Sequence, residues 1–442
     1  MRFYNRLTSS PLKRIAKLFK TNLKTIIEEL IEGITLEKLI NNLLEHEQRR
    51  RSAINMIASE NRTSALVRLM MASDLAHRYS DELYGGTTNI RRIIQICESV
   101  LQELFQAEYV LITPLSGNMA VLAAVLGLTK PEATIAKVFG EDGGYPLDLK
   151  AFNRNGFKLA FNQRIRTIDM DLSGPALLAN PPAMIMFGQS AFTHPHPIKE
   201  MKALLEAQSL KIPIVYDGSH VLGLIAGKEF QDPLREGADI LLGSTHKTFF
   251  GPQGGLLVSN NRNVFKKIER FGGFTQGSHI LVDNLHLHRV AGLTVAALEL
   301  LEFGKSYAAQ VVKNSKVLAN ELHYKGISVK GSEVGFTNSH QILLEYPQQI
   351  AFKIKNKLES LGVFTDMLLR FGTAEITRLG MRESEMKQIA DIIADSIQDN
   401  RQYEKLMNEV KELSANFQTI HYCFDLSGVA SLKALIQSYF PF

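Results

Sequence analysis

The sequence predicts an α/β protein: a large domain with a mostly parallel sheet between helices, followed by a smaller C-terminal α+β domain. Two observations predict it. From Tyr109 onward, short apolar runs end in small or polar turns, and helix-like segments alternate with them. Such runs lie at Tyr109–Ile112, Ala183–Phe187, Ile212–Tyr216 and Ile240–Leu242, and their repetition implies parallel strands with ligands at the carboxyl ends.

Ahead of these units the chain is helical. Arg2, Arg6, Lys13, Arg14, Lys17, Lys20 and Lys24 precede the first acid, Glu28, and Leu12, Ile15, Leu18 and Phe19 share one helical face. A transit peptide, a membrane-surface helix, a solvated leader or an oligomer-packing helix would each read this way. Residues 23–51 continue with apolar positions three and four apart and a Thr35 cap. The expected organisation is a helical extension over 1–51, a large domain with an N-terminal arm over 52–310, a small domain over 311–425 and an extension over 426–442. Asn284–Gly304 reads as one long helix. The small domain has strands at Gly326–Val329 and Gln341–Leu344, and helices to about Lys411.

Composition narrows the function classes. With 442 residues, 45% of them hydrophobic, the chain can bury a large core. A net charge of +5 without a basic stripe argues against nucleic acid. No apolar run reaches the ~18 residues of a membrane span. Cys97 and Cys423 make neither a disulfide framework nor a metal spacing, which fits a cytoplasmic protein.

Four local patterns carry chemistry. Lys247 follows an apolar run within Ser244-Thr245-His246-Lys247-Thr248, before a Gly/Pro turn. A surface-loop lysine needs no role, but one desolvated at a strand end has a depressed pKa and suits Schiff-base chemistry. Asp217 closes another strand; Asp-Gly there is either a turn or a carboxylate for a cofactor's ring nitrogen. Ser116-Gly117-Asn118 stands between a strand and a helix, where it is either a plain cap or a phosphate site. Arg370, before Phe371-Gly372, could clamp a carboxylate in bidentate fashion.

Long segments resemble the serine hydroxymethyltransferases, most closely the archaeal-type branch, from about Asn55 to Asp425. They are ASEN (Ala58–Asn61), SDLAHRY (Ser73–Tyr79), DGSHVLGLIAG (Asp217–Gly227), FQDPLREGADI (Phe230–Ile240), STHKTFFGPQGG (Ser244–Gly255), NLHLHRVAGL (Asn284–Leu293) and EITRLGM (Glu375–Met381). The resemblance implies a fold-type-I enzyme of pyridoxal 5′-phosphate (PLP) acting on an amino acid, with tetrahydrofolate or another tetrahydropterin as co-substrate. It also implies a homodimer or higher homo-oligomer with active sites built from both subunits. By the same resemblance Lys247 is the Schiff-base lysine and Asp217 the partner of the pyridinium. His220, His246 and Ser244 line the site, Ser190 lies near the phenolic oxygen, and Ser116, Gly117 and Asn118 hold phosphate with Gly277 of a second subunit. Ser59 and Arg370 bind the substrate carboxylate, with Tyr79 and Tyr84 close to it.

Two departures bear on this. After Tyr79 the family has an acid and then a PGKRYY-like loop, whereas here the chain runs Ser80-Asp81-Glu82-Leu83-Tyr84-Gly85-Gly86 and is shorter. The acid that handles the substrate hydroxyl proton becomes Asp81 or Glu82, and the segment that helps seat the pterin is largely missing. Where the family stacks a histidine on the ring, this chain has Asp142, followed by Gly143-Gly144-Tyr145. Either Tyr145 supplies the aromatic face or the ring environment differs. The expectation is a serine/glycine hydroxymethyltransferase. A pterin-independent aldolase or transaldolase of glycine- or threonine-type amino acids, and a catalytically inactive scaffold, stand as alternatives.

Overall fold

The computed structural model describes residues 35–81, 83–273, 280–427 and 430–439. The basic N-terminal segment, Glu82 and Gly277 lie outside the described residues. Contacts divide the chain after Ser52. Before that point stands helix α1 (Leu36–Arg51), whose first turn is capped by Thr35 Oγ1 accepting from the Lys38 N–H at 3.2 Å.

The remainder is organised by a seven-stranded sheet. Its strands are β1 (Tyr109–Leu111), β2 (Thr134–Lys137), β3 (Asn155–Lys158), β4 (Met184–Phe187), β5 (Ile214–Asp217), β6 (Ile240–Ser244) and β7 (Gly255–Ser259). They lie in the order β1-β7-β6-β5-β4-β2-β3, and β7 alone runs antiparallel to its neighbours. Strands β4 to β7 are buried throughout, which is why they read as unbroken apolar runs. Alternate residues serve opposite faces. Tyr216 and Leu241 join the core that contains Leu101 and Val290, while Val215 and Leu242 join the one that contains Ala120 and Leu257.

Helix α2 (Gly117–Leu128) follows β1, and helix α3 (Leu287–Tyr324) spans 38 residues. The expected end of α3 at Gly304 is not an end, and the expected boundary at 310 falls inside this helix. The helix instead sets a demand on a neighbour: a Cβ on Gly227 would stand 2.4 Å from the Gly304 carbonyl oxygen.

The C-terminal part has its own buried cluster, including Leu322, Ile342, Phe371, Ile389 and Val410. Strands β8 (Gln341–Leu343) and β9 (Arg370–Gly372) pair antiparallel, and of the strand expected at Gly326–Val329 only a bridge from Val329 to Leu344 forms. Ile54 and Met56 enter this cluster, because Ile54–Asn55 pairs parallel with Val363–Phe364 and Ile57 bridges Phe371. The N-terminal arm is thereby stitched to residues more than three hundred positions later. The last described helix is Ala430–Tyr439.

Candidate active site

Parallel strands deliver their carboxyl ends to one edge, and the sequence-predicted residues gather there. Asp217 is the last residue of β5, and Lys247 stands three residues beyond β6, the neighbouring strand. Ser116 follows β1 and Ser190 follows β4. A glycine sets the depth of Asp217: Gly188 has φ +122°, and a Cβ on it would lie 2.3 Å from the Asp217 carbonyl oxygen.

Lys247 is largely desolvated. Burial pushes its amine down to about 8, with Arg370 acting in the same direction and Asp217 opposing both. Its Nζ lies 3.4 Å from Nε2 of His220. Its carbonyl accepts from Asn61 Nδ2 at 2.7 Å, and Asn61 also donates to the Tyr307 hydroxyl at 2.9 Å. The last residue of the ASEN tetrapeptide thus pins the lysine backbone.

The histidines here are neutral. Burial holds His220 well below its usual range, aided by the neighbouring Lys247, and brings His246 to about 4 and His340 to about 3. His220 and His340 stack with centroids 6.0 Å apart, and His340 Nε2 meets the Ala58 carbonyl at 2.9 Å. The Cα of Ala58 sits where a Cβ on Gly372 would come within 2.5 Å, so the chain passes close against β9 just before Ser59.

Arg370 is buried and aimed by its neighbours. Its Nε donates to Asp366 Oδ2 at 2.9 Å and its Nη1 donates to the Ser190 carbonyl, which leaves Nη2 for another partner. Gln341 Nε2 shares that carbonyl at 3.1 Å and reaches His220 Nδ1 at 2.9 Å. Gln341, His340, Asp366 and Asn61 were not singled out from the sequence as site residues. The partners of Gln341, His340 and Asn61 are remote in the chain, Asp366 serves Arg370 four residues on, and only the membership of Asn61 in ASEN marked any of them.

Asp142 does not lie free. Its carboxylate pairs with Lys158 at 2.8 Å and accepts from Gln163 at 2.8 Å, so its charge is neutralised by a neighbour. Tyr145 donates to Asn118 Oδ1 at 3.0 Å and so lies at the Ser-Gly-Asn turn. Tyr79 and Tyr84 stack on each other with centroids 4.9 Å apart, both half exposed, and Asp81 Oδ1 accepts from the Leu83 N–H at 2.8 Å.

Three observations fit PLP to these residues. Ser116 caps α2 by accepting from the Met119 N–H at 3.1 Å, so the amides of Gly117 and Asn118 at the helix start are free for an anion. A Cβ on Gly117 would stand 2.3 Å from Ser244 Oγ and 3.1 Å from Ser219 Oγ, so bare backbone is required at this turn. Asp217 Oδ1 takes the Ser219 N–H at 3.0 Å, Oδ2 takes no hydrogen bond among the described residues, and buried His246 Nδ1 has no partner. The described residues contain no cluster able to hold a metal ion.

Comparisons with known proteins agree with this chemistry. The family model for serine hydroxymethyltransferase matches residues 35–393. The serine hydroxymethyltransferase of Methanocaldococcus jannaschii is 39% identical over 417 residues, covering 87% of this chain and 94% of that protein. That of Archaeoglobus fulgidus is 37% identical over 410 residues, covering 86% and 91%. Among solved structures, L-threonine transaldolase from Pseudomonas fluorescens superposes with a TM-score of 0.82 at 27% identity, covering 95% of this chain and 99% of that one. This chain belongs to the serine hydroxymethyltransferase family.

Proposed function

We propose that the chain is a PLP-dependent hydroxymethyltransferase that interconverts serine and glycine, with tetrahydrofolate or another tetrahydropterin as one-carbon acceptor. The observation that carries this reading is the continuous path Arg370–Ser190–Gln341–His220–Lys247, which joins a carboxylate clamp to a desolvated amine. When bound, the cofactor supplies an electron sink for the carbanion formed as the Cα–Cβ bond of a β-hydroxy amino acid breaks.

The residues then take these roles. Lys247 holds the cofactor covalently, its amine brought down to about 8 so that far more of it is in the neutral, nucleophilic form than in an exposed lysine. Asp217 keeps the ring nitrogen protonated, and the amides of Gly117 and Asn118 hold phosphate with Ser116 and Ser244. Arg370, assisted by Ser59, orients the amino-acid carboxylate. His220, His246 and Ser190 line the pocket and exclude water. Asp81 or Glu82 handles the hydroxyl proton, with Tyr79 and Tyr84 beside the substrate.

We also propose a homodimer or higher homo-oligomer, supported by the half-exposed Tyr79–Tyr84 pair, with Gly277 of a second subunit completing the phosphate site. A cytoplasmic location fits the two free cysteines. No described helix is long and apolar enough to cross a membrane. The test is PLP absorbance in the purified protein, expected to disappear in Lys247→Ala, together with serine cleavage that requires added tetrahydropterin. A protein that never takes up PLP would sink the reading.

The shortened segment after Tyr79 and the likeness to L-threonine transaldolase favour a second reading, a pterin-independent aldolase or transaldolase. Equal rates of β-hydroxy amino acid formation from glycine and an aldehyde, with and without pterin, would select it.

A further inference from the structure

The orientation of Gln341 is set independently of His220. Its Oε1 accepts from the Phe192 N–H at 2.8 Å and its Nε2 donates to the Ser190 carbonyl at 3.1 Å, so two backbone groups determine which end of the amide is which. The remaining N–H of that amide points at His220 Nδ1, 2.9 Å away. A donor facing Nδ1 requires a lone pair there. It excludes the imidazolium and the Nδ1–H tautomer, because each would set two hydrogens against each other. The ring hydrogen therefore sits on Nε2, the atom 3.4 Å from Lys247 Nζ. A hydrogen directed at the amine is met best by the lone pair of –NH2 and opposed by –NH3⁺.

We propose that Gln341 is a positioning residue for the cofactor lysine: it locks His220 in the Nε2–H tautomer, and that tautomer shifts Lys247 toward the free, nucleophilic amine. The other groups around this pair do not undo the arrangement. Arg370, His340 and His246 face His220 and each disfavours a second proton on it, while around Lys247 the Asp217 carboxylate favours the ammonium form and Arg370 opposes it. Desolvation and the tautomer act together against Asp217.

The inference rests on Lys247 being the cofactor amine, so the readouts are taken on the cofactor-free full-length chain and can fail while PLP still binds. The first is the tautomer of His220 by nitrogen-15 NMR, assigned with His220→Gln. Nδ1 unprotonated in the wild type is expected, and Nδ1 protonated overturns the proposal. The second is the pH dependence of trace acetylation of Lys247, read by mass spectrometry. The wild-type midpoint is expected near 8. Gln341→Met removes the donor without adding charge and is expected to raise that midpoint enough to lower labelling at pH 7 by at least threefold. Gln341→Glu favours a proton on Nδ1 and is expected to raise it further, by tenfold or more in labelling. An unchanged midpoint in a folded Gln341→Met protein overturns the proposal; should that variant not fold, the wild-type tautomer decides.

Discussion

Replacing Arg370 by lysine isolates the proposed carboxylate clamp. In the wild type Nε is committed to Asp366 and one N–H of Nη1 to the Ser190 carbonyl, so the second N–H of Nη1 and both of Nη2 remain. Those groups can meet a carboxylate with two parallel bonds, whereas an ammonium meets it as a point charge. Losing one charge-assisted bond costs about 1.5–3 kcal/mol, or roughly 10- to 150-fold in affinity. The fold should tolerate the change, because Asp366 Oδ1 keeps the N–H groups of Leu368 at 3.0 Å and Arg370 at 3.1 Å. The assay is a glycine titration followed by the absorbance of bound PLP, with PLP affinity itself expected to stay within about twofold since Asp217, Lys247 and the start of α2 are untouched. A change of less than threefold in glycine affinity, with cofactor fully bound, would refute the assignment and move the clamp elsewhere.

Further outcomes follow from the same geometry. In the cofactor-free chain Lys247 binds its proton more weakly than an unfolded lysine does, so the unfolded state holds more protons between about pH 8 and 10.5. Stability relative to Lys247→Met should therefore rise across that window, by about 3 kcal/mol in all, and a flat difference in urea midpoints would contradict the burial of the amine. Gly188→Ala forces a Cβ onto the Asp217 carbonyl at a positive φ, and a loss of at least ~2 kcal/mol with weakened PLP binding is expected in denaturation and absorbance titrations. The buried pair Arg378–Glu299, 2.8 Å apart, should lose about 3–5 kcal/mol on Glu299→Gln, while Glu299→Gln with Arg378→Met recovers part of it.

The sequence made the central strands legible because burial on both faces leaves an apolar run in each of β4 to β7, with Asp217, Ser244 and Ser259 only at strand ends. Strands β2 and β3 escaped notice for opposite reasons. Lys137, at the end of β2, is a charged residue in a buried place, with its amine donating to the Tyr145 carbonyl at 2.5 Å. The edge strand β3 is mostly exposed and so has no apolar pattern. Gly304 looked like a stop signal, but the helix runs through it to Tyr324, because one glycine inside so long a packed helix is tolerated. That Lys247, Asp217 and Arg370 would come together was readable because each stands at or just past a strand end, beside a glycine-containing turn. Gln341 was not, since a glutamine means nothing until the backbone groups it serves come from elsewhere. Asp142 was readable as a departure but not as the partner of Lys158.

The stitching of the N-terminal arm to β9 also sets a timetable for synthesis. Asn61 must reach the Lys247 carbonyl, yet its segment has no pairing partner until residues 363–372 have emerged. A ribosome that has exposed Lys247, Asp217 and the Ser116–Asn118 turn still holds back the strand that seats the arm. Cofactor capture in the native pocket therefore belongs to the end of translation or after release, and a chain stalled before residue 363 carries Lys247 without the strands that frame it.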